Sequence, residues 1–301
     1  MKKIFHQNEE REEMDKREIV ERKLFSFLRY FFPAIVPLLI YVGVLLLCFF
    51  VGDVILLGSM PINRFQKEFS NIFSVIGVII TFIILRKRSK KAGSTFFEDA
   101  SLYKDRLNKK KLLLCAGFGM GAALFLSAIF SLLPSVGPIE EYKQLIDDIY
   151  HRWSVLLSML FGIFFTPIVE EVVFRGYMLN TILPHWGEKA SIFTVSLVFG
   201  IMHGSSLWIL YAFAMGMALG KISIMEDNIA YSIIMHSSFN LPSAILWIIY
   251  LRYPGSQEAL AQNKFLIVIL GLAGGLMAYG CYLLYQKTRI KNKNVSQLFE
   301  E

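Results

Sequence analysis

The chain is poor in cysteine and in charge. Its three cysteines, Cys48, Cys115 and Cys281, all fall in apolar stretches and none stands in a CxxC spacing. That excludes a disulfide framework and a thiolate zinc knuckle. Charged residues make up 18% of the 301 residues against 55% apolar, and the mean hydropathy is +0.51, a balance that excludes an ordinary soluble globule. HExxH is absent too, since no histidine sits at the required offset from Glu170 or Glu171. No internal repeat marks a two-halved transporter. The start does not read as a cleavable secretory signal, because about 30 mixed-charge residues precede the first apolar run. That tail predicts a solvated, helical segment.

What the chain has instead is long apolar runs. Eight approach the roughly 20 residues that span a bilayer: 32–57, 70–85, 112–133, 154–178, 190–206, 207–224, 229–250 and 264–285. Only HGSS separates the fifth from the sixth. They lack the period-two alternation of a barrel, so the expected fold is an all-α polytopic membrane protein of about eight transmembrane helices. Lys and Arg fix its orientation. With the N-terminus inside, the inner segments hold 24 of them, and the outer ones hold Arg64, Lys67, Lys143, Arg152, Arg252 and Lys264. The expectation is N-in/C-in topology in the plasma membrane. The net charge of +7 is then accounted for by anionic headgroups facing RKRSKK (86–91) and NKKK (108–111). Neither run is interleaved with aromatics, and no nucleic-acid partner is expected.

Four regions follow: a charged cytoplasmic tail (1–30), a transmembrane scaffold (31–133) with a basic loop at 86–111, a core (134–250), and a last helix with its tail (251–301). The loop 135–153 is amphipathic and predicts a short helix on the outer face. Polar membrane-embedded residues concentrate between about 154 and 250.

Ionisable groups inside spans cost about 2.5–3.5 kcal/mol each on insertion scales, so their default reading is functional. Three clusters qualify: EEVVFR (170–175), FGIMH (199–203) and HSSFN (236–240). Glu171 and Arg175, at i, i+4 and acid first, predict a structural ion pair. Glu170 lies about 100° round the helix without an intrahelical cation, and is the better candidate for chemistry. Phe199 and His203 share a face, as do His236 and Asn240. Each residue alone has a plainer role, as a lock or as interhelical glue. Together on three spans they predict one pocket. His151 and His185 are expected in loops, and Trp153 and Trp208 in interfacial belts.

In order, these clusters resemble the E-E-x-x-x-R, F-x-x-x-H and H-x-x-x-N motifs of the CAAX-protease and bacteriocin-processing family of intramembrane endopeptidases, over about residues 150–250. The resemblance implies a catalytic set of Glu170, His203, His236 and Asn240, supported by Glu171, Arg175 and Phe199. Glu170 with His203 would activate a water, and His236 with Asn240 would stabilise the oxyanion, in a cavity facing the cytoplasm. No cofactor is expected outright, although one Glu and two His can supply three zinc ligands; metal-dependent and metal-free members are both described. The implied partner is a hydrophobic or membrane-attached peptide or protein substrate, in CAAX-type, bacteriocin-immunity or peptide-pheromone processing. A non-cleaving immunity or regulatory partner that uses the same fold stays open as the alternative.

Overall fold

The computed structural model describes residues 2–56, 62–103, 107–134, 137–141, 144 and 159–297. Among them every regular element is helical, as the unalternated apolar runs require. The tail and the first apolar run form one helix, α1 (Lys2–Leu56), which carries Pro33 and Pro37 inside it. Then come α2 (Ile62–Lys91), the short α3 (Phe96–Asp99) and α4 (Lys109–Leu132). Thr95 and Glu98 cap α3 reciprocally, and the Asn108 side chain accepts from the Lys111 N–H to start α4.

The next helical run changes pitch. A π-helical turn, π1 (Phe161–Phe165), leads into α5 (Thr166–Glu171), then a second one, π2 (Val172–Leu179), and α6 (Asn180–Ile201). At Gly187 the backbone turns to φ 73°, ψ 169°, a conformation closed to most L-residues, and the run breaks there. Ser206–Glu226 (α7), Ala230–Arg252 (α8), the short Ser256–Gln262 (α9) and Lys264–Gln297 (α10) complete the chain.

Among the described residues five helices are long and apolar enough to cross a membrane: Phe27–Val54, Lys109–Leu132, Ser206–Glu226, Ala230–Arg252 and Lys264–Thr288. The other three expected spans differ for separate reasons. In α2, RKRSKK cuts the apolar stretch short. Part of 154–178 lies outside the described residues. Beyond Gly187, α6 runs only to Ile201, about 21 Å of helix against a hydrocarbon core of about 30 Å. Most of 135–153 also lies outside the described residues, His151 and Trp153 included.

The core gathers around π2, whose residues Val172 to Leu179 are all buried. The basic loop docks on it. Ser89 Oγ and Tyr177 Oη hydrogen-bond at 2.8 Å, Asn180 Nδ2 donates to Ser101 Oγ at 2.7 Å, and Asn228 Nδ2 donates to Tyr103 O at 2.6 Å. On the other side α4 meets α8 at Gly119, where any Cβ would overlap the Met235 carbonyl oxygen. That missing side chain sets the position of α8 one residue before His236.

Candidate active site

The two glutamates stand at the junction of α5 and π2, where the helical pitch changes. Their environments differ. The Glu171 side chain is 0% exposed and Glu170 16%. Arg175 Nη1 donates to Glu171 Oε1 at 2.8 Å, and Nη2 donates to Gly216 O on α7 at 3.2 Å. The guanidinium lies over the Phe199 ring, 4.5 Å from its centroid. The predicted Glu171–Arg175 pair is therefore present, sealed from solvent and tied to α6 and α7.

A third group shares that carboxylate. His236 Nδ1 lies 3.0 Å from the same Glu171 Oε1, and His236 Nε2 lies 3.7 Å from Glu170 Oε2. Because a carboxylate oxygen only accepts, Nδ1 is the nitrogen that donates. The imidazole is thereby aimed with Nε2 at Glu170. The gap is too long for a direct hydrogen bond. So Glu170, unpaired within its own helix, finds a partner from α8.

His203 falls two residues past the end of α6, in the turn before α7. Its Nδ1 donates to Phe199 O at 2.7 Å, which leaves Nε2 as the acceptor nitrogen. The Phe199 ring packs edge-on to His203 at 4.7 Å and to His236 at 5.8 Å. Phe199 thus touches both imidazoles and the Arg175 cation, and the contacts that join His203 to the glutamates run through it and His236.

Asn240 turns elsewhere. Its Nδ2 donates to Gly162 O at 2.8 Å, for a reason that lies in the π turn. Thr166 N–H bonds to Phe161 O, and the next donor in that register is Pro167, which has no N–H. The Gly162 carbonyl is left without a backbone donor, and the Asn240 amide supplies one of its two hydrogens.

Two contributors lie outside the three motifs. Trp208, expected in an interfacial belt, has its ring 5.6 Å from that of His203. Tyr41 on α1, from the segment read as scaffold, is buried within electrostatic reach of Glu170. No spacing within α1 marks Tyr41, because its role depends on which helices are neighbours. His185, expected in a loop, is inside α6 and stacks on Tyr30 at 3.6 Å.

The ligand set for zinc does not fit this arrangement. Among the described residues no three His, Cys, Asp or Glu side chains gather closely enough to hold one ion. Nδ1 of His236 is held by Glu171 and Nδ1 of His203 by Phe199 O, which leaves Nε2 as the open nitrogen of each ring.

Apolar helices of spanning length around a sealed Glu–Arg–His cluster define an all-helical membrane protein with a polar site inside its bundle. Within it, residues 152–242 match the family described as Type II CAAX prenyl endopeptidase Rce1-like. The matched segment carries all three motifs, and the family it resembles is one of proteases. No curated protein and no solved structure matches the chain significantly.

Proposed function

We propose that the protein is an intramembrane endopeptidase that cleaves a hydrophobic or membrane-attached peptide with a water activated by Glu170. The observation that carries this reading is His236 suspended between two carboxylates, the sealed Glu171 and the accessible Glu170, within the segment that the protease family model covers. Glu170 takes a proton from a water held jointly with His203 Nε2, and the hydroxide adds to the peptide carbonyl carbon. The oxyanion so formed accepts from His236 Nε2–H and from the second Asn240 amide hydrogen. One such donor is worth about 100–1,000-fold in rate. The carbonyl then reforms, the C–N bond breaks, and the leaving amine takes the proton from Glu170. No step runs through a metal.

In this reading the chain sits in the plasma membrane with both termini inside and the site open to the cytoplasm. The distribution of Lys and Arg supports this orientation, and the basic inner loops lie against anionic headgroups. The substrate is a peptide of CAAX, bacteriocin or pheromone type. Comparing membrane-derived peptides made in the presence of the native chain and of Glu170→Gln tests the proposal: products that depend on Glu170 support it, and identical peptide sets with both proteins folded defeat it. The Asn240–Gly162 bond favours a second reading, a non-cleaving partner that keeps the cluster for architecture. That reading requires Glu170→Ala and His203→Ala each to preserve the cellular phenotype.

A further inference from the structure

A cavity of about 290 Å³ lies between α4, α7, α8 and α10, on residues that the proposed chemistry does not use. Leu114, Phe118, Ala218 and Met235 are among its apolar lining, and Lys221 and Gln286 among its polar lining. Leu114 and Lys221 lie within about two turns of the ends of α4 and α7, whereas Phe118 lies about two and a half turns inside α4. The cavity therefore runs from one end of the bundle into its apolar zone.

Its surroundings select an amphiphile. An apolar cavity of this kind does not hold water stably, and within a bilayer the available apolar matter is acyl chain. The flanks are lipid-like too, since Leu113, Leu283 and Leu284 all expose their side chains. Charge at the same end is positive. Lys109, Lys110 and Lys287 are exposed there, whereas Glu226 is neutralised by Lys111 at 2.8 Å and Glu188 and Lys221 pair with one another. Asp227, and Glu98 and Asp99 on α3, are further acids described at this end. The Lys221 side chain is 50% exposed, so its ammonium can serve Glu188 and a phosphate together.

We propose that this cavity holds one acyl chain of an anionic phospholipid from the same leaflet, with its phosphate at Lys221. The site stands apart from the peptidase reading and survives if that reading fails. An occupied cavity would tie α10, at the periphery of the bundle, to α8, which carries His236.

The test is native mass spectrometry of the full-length, delipidated protein in detergent, titrated with phosphatidylglycerol, phosphatidylcholine, oleate or inorganic phosphate, with thermal unfolding read in parallel. One phosphatidylglycerol per chain should be retained and should raise the melting temperature, about fivefold tighter than phosphatidylcholine, the ratio expected for one surface lysine. Lys221→Glu should remove that preference. Ala218→Phe, which fills the cavity, should weaken retention at least about tenfold, and Cys281→Leu does the same from α10 should the first variant not fold. Equal retention by parent and folded cavity-filled variants overturns the proposal. So does oleate or phosphate alone matching phosphatidylglycerol, or indifference to Lys221.

Discussion

His236 Nδ1 and Arg175 Nη1 converge on a single oxygen, Glu171 Oε1, at 3.0 and 2.8 Å. Glu171 is thus more than the lock of its own helix. It holds the α8 imidazole in the orientation that presents Nε2 to Glu170.

Substitutions at Glu171 should separate its two roles. Glu171→Ala leaves the Arg175 charge buried and uncompensated, a loss of about 3–5 kcal/mol, read as a fall in the unfolding midpoint in detergent. Glu171→Ala combined with Arg175→Leu should regain most of that stability and none of the peptidase activity. Glu171→Gln, which keeps an acceptor for Arg175 but not the counter-charge, should cost less stability than Glu171→Ala and lower kcat with KM nearly unchanged, since His236 loses its charged anchor while the substrate contacts remain.

Asn240→Ala should lower both stability and turnover. Removing the donor takes this partner from the half-buried Gly162 O, a cost of about 1 kcal/mol, and the rate should drop by about 100–1,000-fold if the second amide hydrogen serves the oxyanion. Unfolding midpoint and kcat measured on the same preparation check the two effects. A folded variant with reduced midpoint and native kcat removes Asn240 from the chemistry and keeps it as a helix fastener.

At Gly119 the smallest addition should be felt. A methyl there meets the Met235 carbonyl, and backbone does not yield as a side-chain tip does. Gly119→Ala is expected to cost about 1–3 kcal/mol and to lower kcat by displacing His236. A control at Gly43, where a Cβ meets nothing within 4 Å, should leave kcat unchanged. Equal activity in the two variants would disconnect the α4–α8 contact from the site.

Exhaustive chelation should leave cleavage unchanged, and elemental analysis of the purified chain should return far less than one zinc per protein. The ground is that, among the described residues, no three His, Cys, Asp or Glu side chains stand close enough to hold one ion. Stoichiometric zinc, or activity lost on chelation and restored by zinc alone, would require Glu170, His203 and His236 to draw closer together than they stand here.

Much of this molecule was legible in its residues. The apolar runs required helices, and the spacing Glu171–Arg175 and Phe199–His203 placed each pair on one face, where the structure has a 2.8 Å ion pair and rings 4.7 Å apart. These are short-range relations, and helical pitch alone settles them. Spans were harder to count from hydropathy, because the break at Gly187 and the π turns around α5 change length and facing without changing composition.

The sequence alone determined that this chain is helical, membrane-seated and equipped with a carboxylate–histidine set in the pattern of a protease family, because periodicity and residue type are local properties. Tertiary packing alone decided that His236 bridges Glu171 and Glu170, that Asn240 answers a carbonyl orphaned by Pro167, and that Tyr41 and Trp208 stand at the site. Those relations join helices far apart in the chain. They depend on where a missing Cβ at Gly119 and a shifted register at π1 allow backbones to meet.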